Sequence, residues 1–193
     1  ALGARVETFS CDEGTINENC GAAHLDGLKS FLRENPSTTV EDPDFIGALA
    51  NDGDADRIMG IGTGENGELV EINGNHIMEA LALNPRQLGI VGTIYTNSAT
   101  RVRLKAVGVD FLECDNGDTY VTNALLAKQG VGEPWSRGGE FTGHLIDTYW
   151  LNSGDGVRTA AWIAAFAVKS GKSFGEMQAQ MPLWPEGMQK VDL

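Results

Sequence analysis

The stretch FIGALANDGDADRIMGIG, residues 45–62, places three carboxylates between two apolar runs. Asp52, Asp54 and Asp56 alternate along the chain, and the small residues between them permit a tight loop in which their oxygens converge. Hard cations such as Mg²⁺ prefer oxygen ligands, and three neighbouring negative charges repel one another unless a cation lies among them. The pattern therefore predicts a Mg²⁺-binding loop at the end of a buried strand, residues 45–50.

Two familiar motifs also contain closely spaced acidic residues, and neither fits this loop. An EF-hand that starts at Asp52 would need glycine at the position of Arg57 and glutamate at the position of Thr63. An aspartyl-phosphate loop wants threonine or valine where Ile58 stands. Both motifs are therefore excluded, whereas a solvated acidic turn without a metal stays open as the alternative.

The apolar residues around the loop recur with the spacing of strands and helices in turn, which is typical of α/β proteins. We predict an α/β fold of two successive three-layer α/β/α domains with mostly parallel sheets, residues 1–84 and 85–193, the first of them truncated at its N-terminus. In the first, we expect strands at 4–9, 45–50, 58–61 and 69–72 and helices at 24–34 and 75–83. In the second, we expect strands at 88–95, 109–114 and 144–146 and helices at 100–107, 119–128 and 156–169.

Charge and cysteine content limit the class of partner. The formal net charge is -13, with 27 acidic against 14 basic residues, so binding of nucleic acid through its phosphates is not expected. A phosphorylated small molecule stays possible, because a few arginines and backbone N–H groups suffice to hold one phosphate. The longest apolar stretch, residues 160–168, is shorter than the roughly 20 residues of a membrane span. Three cysteines without C-x-x-C spacing fit a reducing, cytoplasmic setting.

A second candidate site lies in the Gly-rich segment SRGGEFTGH, residues 136–144. Glu140, Thr142 and His144 alternate there, and alternate residues of an extended segment share a face. A carboxylate beside a hydroxyl suits the vicinal hydroxyl groups of a sugar, and the alternative is a surface turn with a satisfied histidine. Farther on, Asp155 lies at the start of a predicted helix and is expected to have a structural role there, as the N-cap or as an acidic residue of the first turn.

Taken in order, these loops resemble the α-D-phosphohexomutase family over nearly the whole chain. The segment INENCGAAH, residues 16–24, resembles the phosphoglucosamine mutase branch of that family most. The acidic loop and the Gly-Gly-Glu loop are specific in combination, and each alone would be weak. The segments that match are NDGDADR at 51–57, GNHIM at 74–78, TIYTN at 93–97, GDTYV at 117–121, GGEFTGH at 138–144 and GDG at 154–156.

The resemblance implies the second and third of four domains, with the catalytic phosphoserine and a phosphate-clamping domain supplied by the rest of a parent chain. It implies an intramolecular phosphotransferase that interconverts hexosamine 6-phosphate and 1-phosphate through a bisphosphorylated sugar, so the 193-residue chain is expected to be inactive alone. It also implies Mg²⁺ on the three aspartates, sugar hydroxyls on Glu140 and Thr142, and Arg57 and His144 in the same cleft.

Three positions depart from the family pattern and bear on affinity and substrate choice. Asn75 replaces an aspartate, Thr119 replaces an arginine of the phosphoglucosamine branch, and Phe141 replaces glutamine or methionine. Two alternatives therefore stay open. One is a phosphomannomutase or phosphoglucomutase, and the other is a non-catalytic module that binds a metal or a sugar phosphate.

Overall fold

The computed structural model describes residues 5–9, 16–83 and 87–187. The chain forms two β-sheets with helices packed against them, which confirms the α/β class. Among the described residues, no helix is long and apolar enough to cross a bilayer. The helices are α1 (Asp26–Glu34), α2 (Gly74–Ala82), α3 (Ser98–Ala106), α4 (Asp118–Gly130), α5 (Gly156–Ser170) and α6 (Phe174–Gln180), with a 3₁₀ turn at Pro36–Thr38.

The first sheet contains β1 (Ala48–Asn51), β2 (Ile58–Thr63) and β3 (Leu69–Ile72) in that order. Both of its strand pairs are antiparallel, which corrects the expectation of mostly parallel sheets for this part of the chain. The reason is the length of the connections. Residues 52–57 and 64–68 are too few for the crossover of about a dozen residues that a parallel pair needs.

The strand predicted at residues 4–9 is also corrected. Residues 5–9 are described and form no strand, and residue 4 lies outside the described residues. Alternating apolar residues form a strand only where another strand pairs with them, because β-propensity depends on context. Among the described residues, β1 pairs with β2 alone, and residues 5–9 do not add a strand to its other side.

The second sheet has the order β5-β4-β6-β7-β8. Its strands are β4 (Gly89–Thr93), β5 (Asp110–Cys114), β6 (Arg137–Gly139), β7 (Leu145–Asp147) and β8 (Leu151–Gly154). Strands β5, β4 and β6 run parallel, as predicted, because α3 and α4 supply the crossovers between them. Strands β7 and β8 add an antiparallel edge.

One apolar cluster joins residues of both sheets. Ile58 and Ile72 of the first sheet share it with Ile90 of β4 and Phe174 of α6, all of them fully buried. The approach of α6 to β2 is close enough that a Cβ at Gly62 would overlap the backbone of Gly175. The predicted division of the chain at residue 84 falls on residues 84–86, which lie outside the described residues, and it stays a prediction.

Candidate functional site

The carboxyl ends of three parallel strands define one edge of the second sheet. β4, β5 and β6 end there, and they are followed by the loops at residues 94–97, 115–117 and 140–144. In open α/β sheets this is the edge at which ligands bind. The predicted sugar loop, residues 140–144, is therefore placed where the topology favours a binding site. The expectation of an extended segment there is wrong, because residues 141–142 form a turn and the Gly143 N–H donates to the Glu140 carbonyl at 3.1 Å.

The acidic loop lies between β1 and β2, with Ala55 in a left-handed conformation at its tip. Asp52, Asp54 and Asp56 each offer an oxygen, and these oxygens lie within 4.8 Å of one another. Asp54 is exposed, whereas Asp52 and Asp56 are half-buried. The alternate spacing in the sequence therefore does bring the three carboxylates together.

Backbone contacts fix the shape of the acidic loop. The Arg57 N–H donates to Asp52 Oδ1 at 3.1 Å, and the Asn51 side-chain amide donates to the Arg57 carbonyl at 2.8 Å. The Gly156 N–H, at the start of α5, donates to the Ala55 carbonyl at 2.8 Å. The acidic loop is therefore hydrogen-bonded to the ends of β1 and β2 and to the start of α5. A free surface turn would lack these hydrogen bonds to other elements.

The acidic loop and the sugar loop are joined by backbone pairing. Arg57 and His144 form an antiparallel bridge, and the Ile58 N–H donates to the Gly143 carbonyl at 3.1 Å. A Cβ at Gly143, whose φ is 90°, would overlap the Ile58 backbone, so glycine is required for this approach. Two segments far apart in the sequence thus form one candidate site.

His144 is the side chain that spans the two loops. It is 4% exposed, its Nε2 lies 3.2 Å from Asp56 Oδ2, and its Nδ1 lies 3.7 Å from Glu140 Oε2. The Glu140 carboxylate raises the pKa of the His144 imidazole, and Asp56 and Asp118 act in the same direction while burial opposes them. The protonated imidazole is therefore favoured between these carboxylates.

Glu140 is 7% exposed and has a second partner in the loop after β5. The Gly117 N–H donates to Glu140 Oε1 at 3.1 Å. Two residues farther on, Thr142 is half-buried, and its Oγ1 is buried without a hydrogen-bond partner among the described residues. The loop therefore presents one carboxylate that is already oriented and one hydroxyl with unused bonding capacity.

The charge balance around Asp56 fits a divalent cation. Burial raises the pKa of the Asp56 carboxyl, the nearby His144 opposes this, and the charges of Asp52 and Asp54 add to it. Asp56 Oδ1 is buried and has no hydrogen-bond partner among the described residues. Arg57 Nε lies 3.7 Å from Asp52 Oδ2 and 3.8 Å from Asp56 Oδ1, and within the described chain it too lacks a hydrogen-bond partner. Hard oxygen donors with unmet capacity are what Mg²⁺ binding requires.

Asn75, Thr119 and Phe141, which were predicted to differ from the family pattern, lie around this site. Asn75 is 3% exposed at the start of α2, and its Oδ1 accepts from the Asn97 N–H at 2.9 Å. Thr119 is exposed in the first turn of α4, and Phe141 is half-buried between Glu140 and Thr142. All three therefore lie in or next to the loops of the candidate site.

Two features of the site were not predicted from the sequence. The backbone N–H of Gly117 serves as a donor to Glu140, and Asn97 caps α3 through the Ala99 N–H at 3.0 Å while it also binds the segment near residue 184. The predicted structural role of Asp155 is confirmed, and of its two possible forms the structure has the N-cap, since Asp155 Oδ1 accepts from the Arg158 N–H at 2.9 Å.

Comparison with known proteins gives one family match and many relatives. Residues 68–183 match the model of the phosphoglucomutase/phosphomannomutase α/β/α domain III. A phosphoglucosamine mutase of Marinobacter nauticus is 32% identical over 98% of the chain, and one of Delftia acidovorans is 35% identical over 100%. The chain spans only 40% and 41% of the length of these two relatives.

Solved structures share the fold at lower identity. Aspergillus fumigatus N-acetylphosphoglucosamine mutase, in a complex with GlcNAc-6P and magnesium, aligns with 88% of the chain and 41% of its own, at a TM-score of 0.64 and 18% identity. A phosphoglucomutase/phosphomannomutase family protein of Burkholderia thailandensis aligns with 84% of the chain and 33% of its own, at a TM-score of 0.63 and 19% identity. At these identities the likeness concerns the fold alone.

Proposed function

Because the chain belongs to the α-D-phosphohexomutase family, we propose that it is the central part of a Mg²⁺-dependent intramolecular phosphotransferase that interconverts hexosamine 6-phosphate and 1-phosphate. The observation on which this rests most is the backbone bridge between Arg57 and His144, which places the acidic loop against the sugar loop. Neither loop alone distinguishes a mutase from an acidic or Gly-rich turn. Their juxtaposition supplies both a cation site and a sugar site.

The acidic loop is the proposed metal site. Asp52, Asp54 and Asp56 would hold Mg²⁺, whose chemistry when bound is to neutralise charge on a transferring phosphoryl group. Arg57 lies beside two of these aspartates and adds a permanent positive charge there. The carboxylates of Glu140 and Asp56 raise the pKa of His144, which favours a proton on its imidazole between these two residues.

The sugar loop is the proposed substrate site. The Glu140 carboxylate is held in place by the Gly117 N–H and can accept hydrogen bonds from sugar hydroxyls. Thr142 can donate or accept through its Oγ1, which has no hydrogen-bond partner among the described residues. In this proposal another domain of a parent chain supplies the phosphoserine that exchanges phosphate with the sugar.

The choice of a hexosamine over a hexose is supported by the curated relatives. Phosphoglucosamine mutases from Marinobacter and Delftia match at 32% and 35% identity over essentially the whole chain. The proposed location is the cytoplasm. Among the described residues, Cys20 and Cys114 are free thiols, and thiols stay reduced in that compartment.

The proposal is tested by titrating the ¹⁵N-labelled chain with glucosamine 6-phosphate in the presence of Mg²⁺. We expect saturable chemical-shift changes at residues 140–144 and at the Gly117 amide. Replacing Glu140 with glutamine removes charge-assisted hydrogen bonds, so Glu140→Gln should weaken binding by about 1.5–3 kcal/mol.

Glu133→Gln is the matched control, because Glu133 pairs with Lys128 before β6, away from the proposed site. It should leave the affinity for glucosamine 6-phosphate unchanged. Shift changes confined to other surfaces, or equal affinity of the Glu140→Gln variant and the unaltered chain, would contradict the assignment of the sugar site.

A further inference from the structure

Two aromatic residues lie in the loops that follow β4 and β6, at the carboxyl end of the parallel strands. Tyr95 follows β4, and Phe141 lies between Glu140 and Thr142 in the sugar loop. Their rings meet edge to face, with the centroids 6.3 Å apart and the planes at 76°. Both residues lie at the carboxyl edge of the parallel strands, where the candidate site is located.

The first turn of α2 holds these two aromatic loops together. The Gly74 N–H donates to the Phe141 carbonyl at 3.0 Å, and Asn75 Oδ1 accepts from the Asn97 N–H at 2.9 Å. A Cβ at Gly74 would overlap the Glu140 carbonyl oxygen, so the approach of the sugar loop to α2 depends on glycine. The backbone of both loops is therefore held against the start of α2.

The aromatic pair does not belong to the interior of the protein. Among the described residues, the three buried apolar clusters and the hydrophobic residues packed against them include neither ring. Tyr95 is 39% exposed and Phe141 is half-buried. Leaving large apolar area in water is unfavourable, so a contact that covers these rings would be favoured.

We propose that Tyr95 and Phe141 form the apolar wall of the sugar site and pack against the C–H face of the bound pyranose ring. This rests on the proposed function, in which Glu140 and Thr142 bind the hydroxyls of the same sugar. Ligand sites combine apolar and aromatic walls with a few polar groups that fix orientation. The C–H groups of a pyranose carry slight positive charge and suit the negative face of an aromatic ring.

The departure at position 141 is consistent with this role. Residue 141, which was predicted to differ from the family pattern, is a phenylalanine whose ring meets Tyr95 edge to face. The proposed sugar site thus includes an aromatic surface. Affinity for the sugar is then shared between polar and apolar contacts.

The test is calorimetric titration of the 193-residue chain with glucosamine 6-phosphate in the presence of Mg²⁺. Tyr95→Ala and Phe141→Ala should each raise the Kd about three- to tenfold, since an aromatic contact of this kind is individually modest. Tyr95→Phe keeps the ring and should restore the affinity to that of the unaltered chain. Glucose 6-phosphate should show the same relative losses, because both sugars share the C–H face.

Tyr149→Ala is the matched control, because Tyr149 is 63% exposed and lies in the turn after β7. Since β7 runs antiparallel to β6, this turn lies at the amino ends of the parallel strands, opposite the candidate site. This variant should leave the Kd unchanged. Mg²⁺ affinity, measured without sugar, should be the same in all these variants, which shows that the aromatic replacements leave the fold intact.

Unchanged sugar affinity in both alanine variants, together with a loss in Glu140→Gln, would overturn the aromatic wall and leave the proposed function standing. A loss confined to the amino sugar would also overturn it, because the rings would then contact the ammonium group. Loss in the aromatic variants with full affinity in Glu140→Gln would contradict the proposed function itself. No saturable binding by the unaltered chain would overturn both.

Discussion

At the scale of single residues, Asn75 is a buried amide that joins the start of α2 to the loop after β4. Its Oδ1 accepts from the Asn97 N–H at 2.9 Å, and Asn97 in turn caps α3. Asn75→Ala would leave that buried N–H without its acceptor, at a cost of about 1–3 kcal/mol in the free energy of unfolding. Urea denaturation measures this difference.

Asn116→Ala is the control for this change, because Asn116 is exposed in the loop after β5. It should alter the free energy of unfolding by less than about 0.5 kcal/mol. Equal stability of the Asn75→Ala variant and the unaltered chain would show that water replaces the lost acceptor.

The residues of the site differ in how far the sequence predicts them. Asp52, Asp54 and Asp56 could be predicted to converge, because their alternation is a local property of one short loop. The donor to Glu140 could not, because Gly117 lies 23 positions away and acts through its backbone N–H, which every residue type except proline possesses. The multiple bonds of Asn97 to residues 184 and 186 depend on tertiary structure in the same way.

At the scale of elements, α2 contains a histidine whose protonation opposes folding. His76 is buried, and its Nδ1 accepts from the Asn73 N–H at 3.1 Å in the capping box of the helix. Burial, with the nearby charge of Arg103, lowers the pKa of His76 from 6.5 to about 4. The unfolded chain therefore binds the proton more tightly than the folded one between these two values.

The resulting pH dependence has a definite sign. The part of the stability that depends on neutral His76 should be full above pH 6.5 and should fall as the pH drops through the window from 6.5 to about 4. At the bottom of that window, the proton linkage of His76 has lowered the free energy of unfolding by about 3 kcal/mol. Denaturation at a series of pH values should show a shallower acid slope for His76→Asn than for the unaltered chain.

His24→Asn is the matched control for this series, because His24 is exposed before α1. It should retain the acid slope of the unaltered chain. Identical slopes for the His76→Asn variant and the unaltered chain would show that His76 is not held neutral by the fold.

The first sheet shows why strand direction was harder to predict than strand position. Strands β2 and β3 were expected at 58–61 and 69–72, and they occur at Ile58–Thr63 and Leu69–Ile72. Their direction follows from loop length, and the short loops around them require antiparallel pairing. The predicted strand at 4–9 would have allowed a parallel arrangement, but residues 5–9 form no strand.

At the scale of the whole molecule, α6 connects late residues of the chain to the first sheet. Phe174 is fully buried, and its ring lies so close to Gly47 that a Cβ there would overlap it. The Phe174 N–H also donates to the Ile46 carbonyl at 2.8 Å. The two predicted blocks therefore share side-chain and backbone contacts.

Phe174→Ala should destabilise both sheets together, by about 3–5 kcal/mol, because it removes a large side chain from the shared apolar cluster. Hydrogen exchange should show reduced protection in β2 and in β4 alike. Val157→Ala, at an exposed position of α5, is the control and should leave protection in both strands unchanged. Loss confined to β2 would show that the two sheets unfold independently.

The central claim is that one site unites a Mg²⁺-binding loop with a sugar loop, and the metal half can be measured directly. Asp54 is the best residue to change, because it is exposed whereas Asp52 also accepts from the Arg57 N–H within the loop. Asp44→Asn, at another exposed aspartate, is the matched control.

The decisive measurement is a calorimetric titration of Mg²⁺ into the unaltered chain, Asp54→Asn and Asp44→Asn. The proposal predicts one saturable site in the unaltered chain and in Asp44→Asn, and a loss of that site in Asp54→Asn, because an octahedral cation loses one of its charged oxygen ligands. Equal Mg²⁺ binding in Asp54→Asn and the unaltered chain would contradict the assignment of the acidic loop as the metal site.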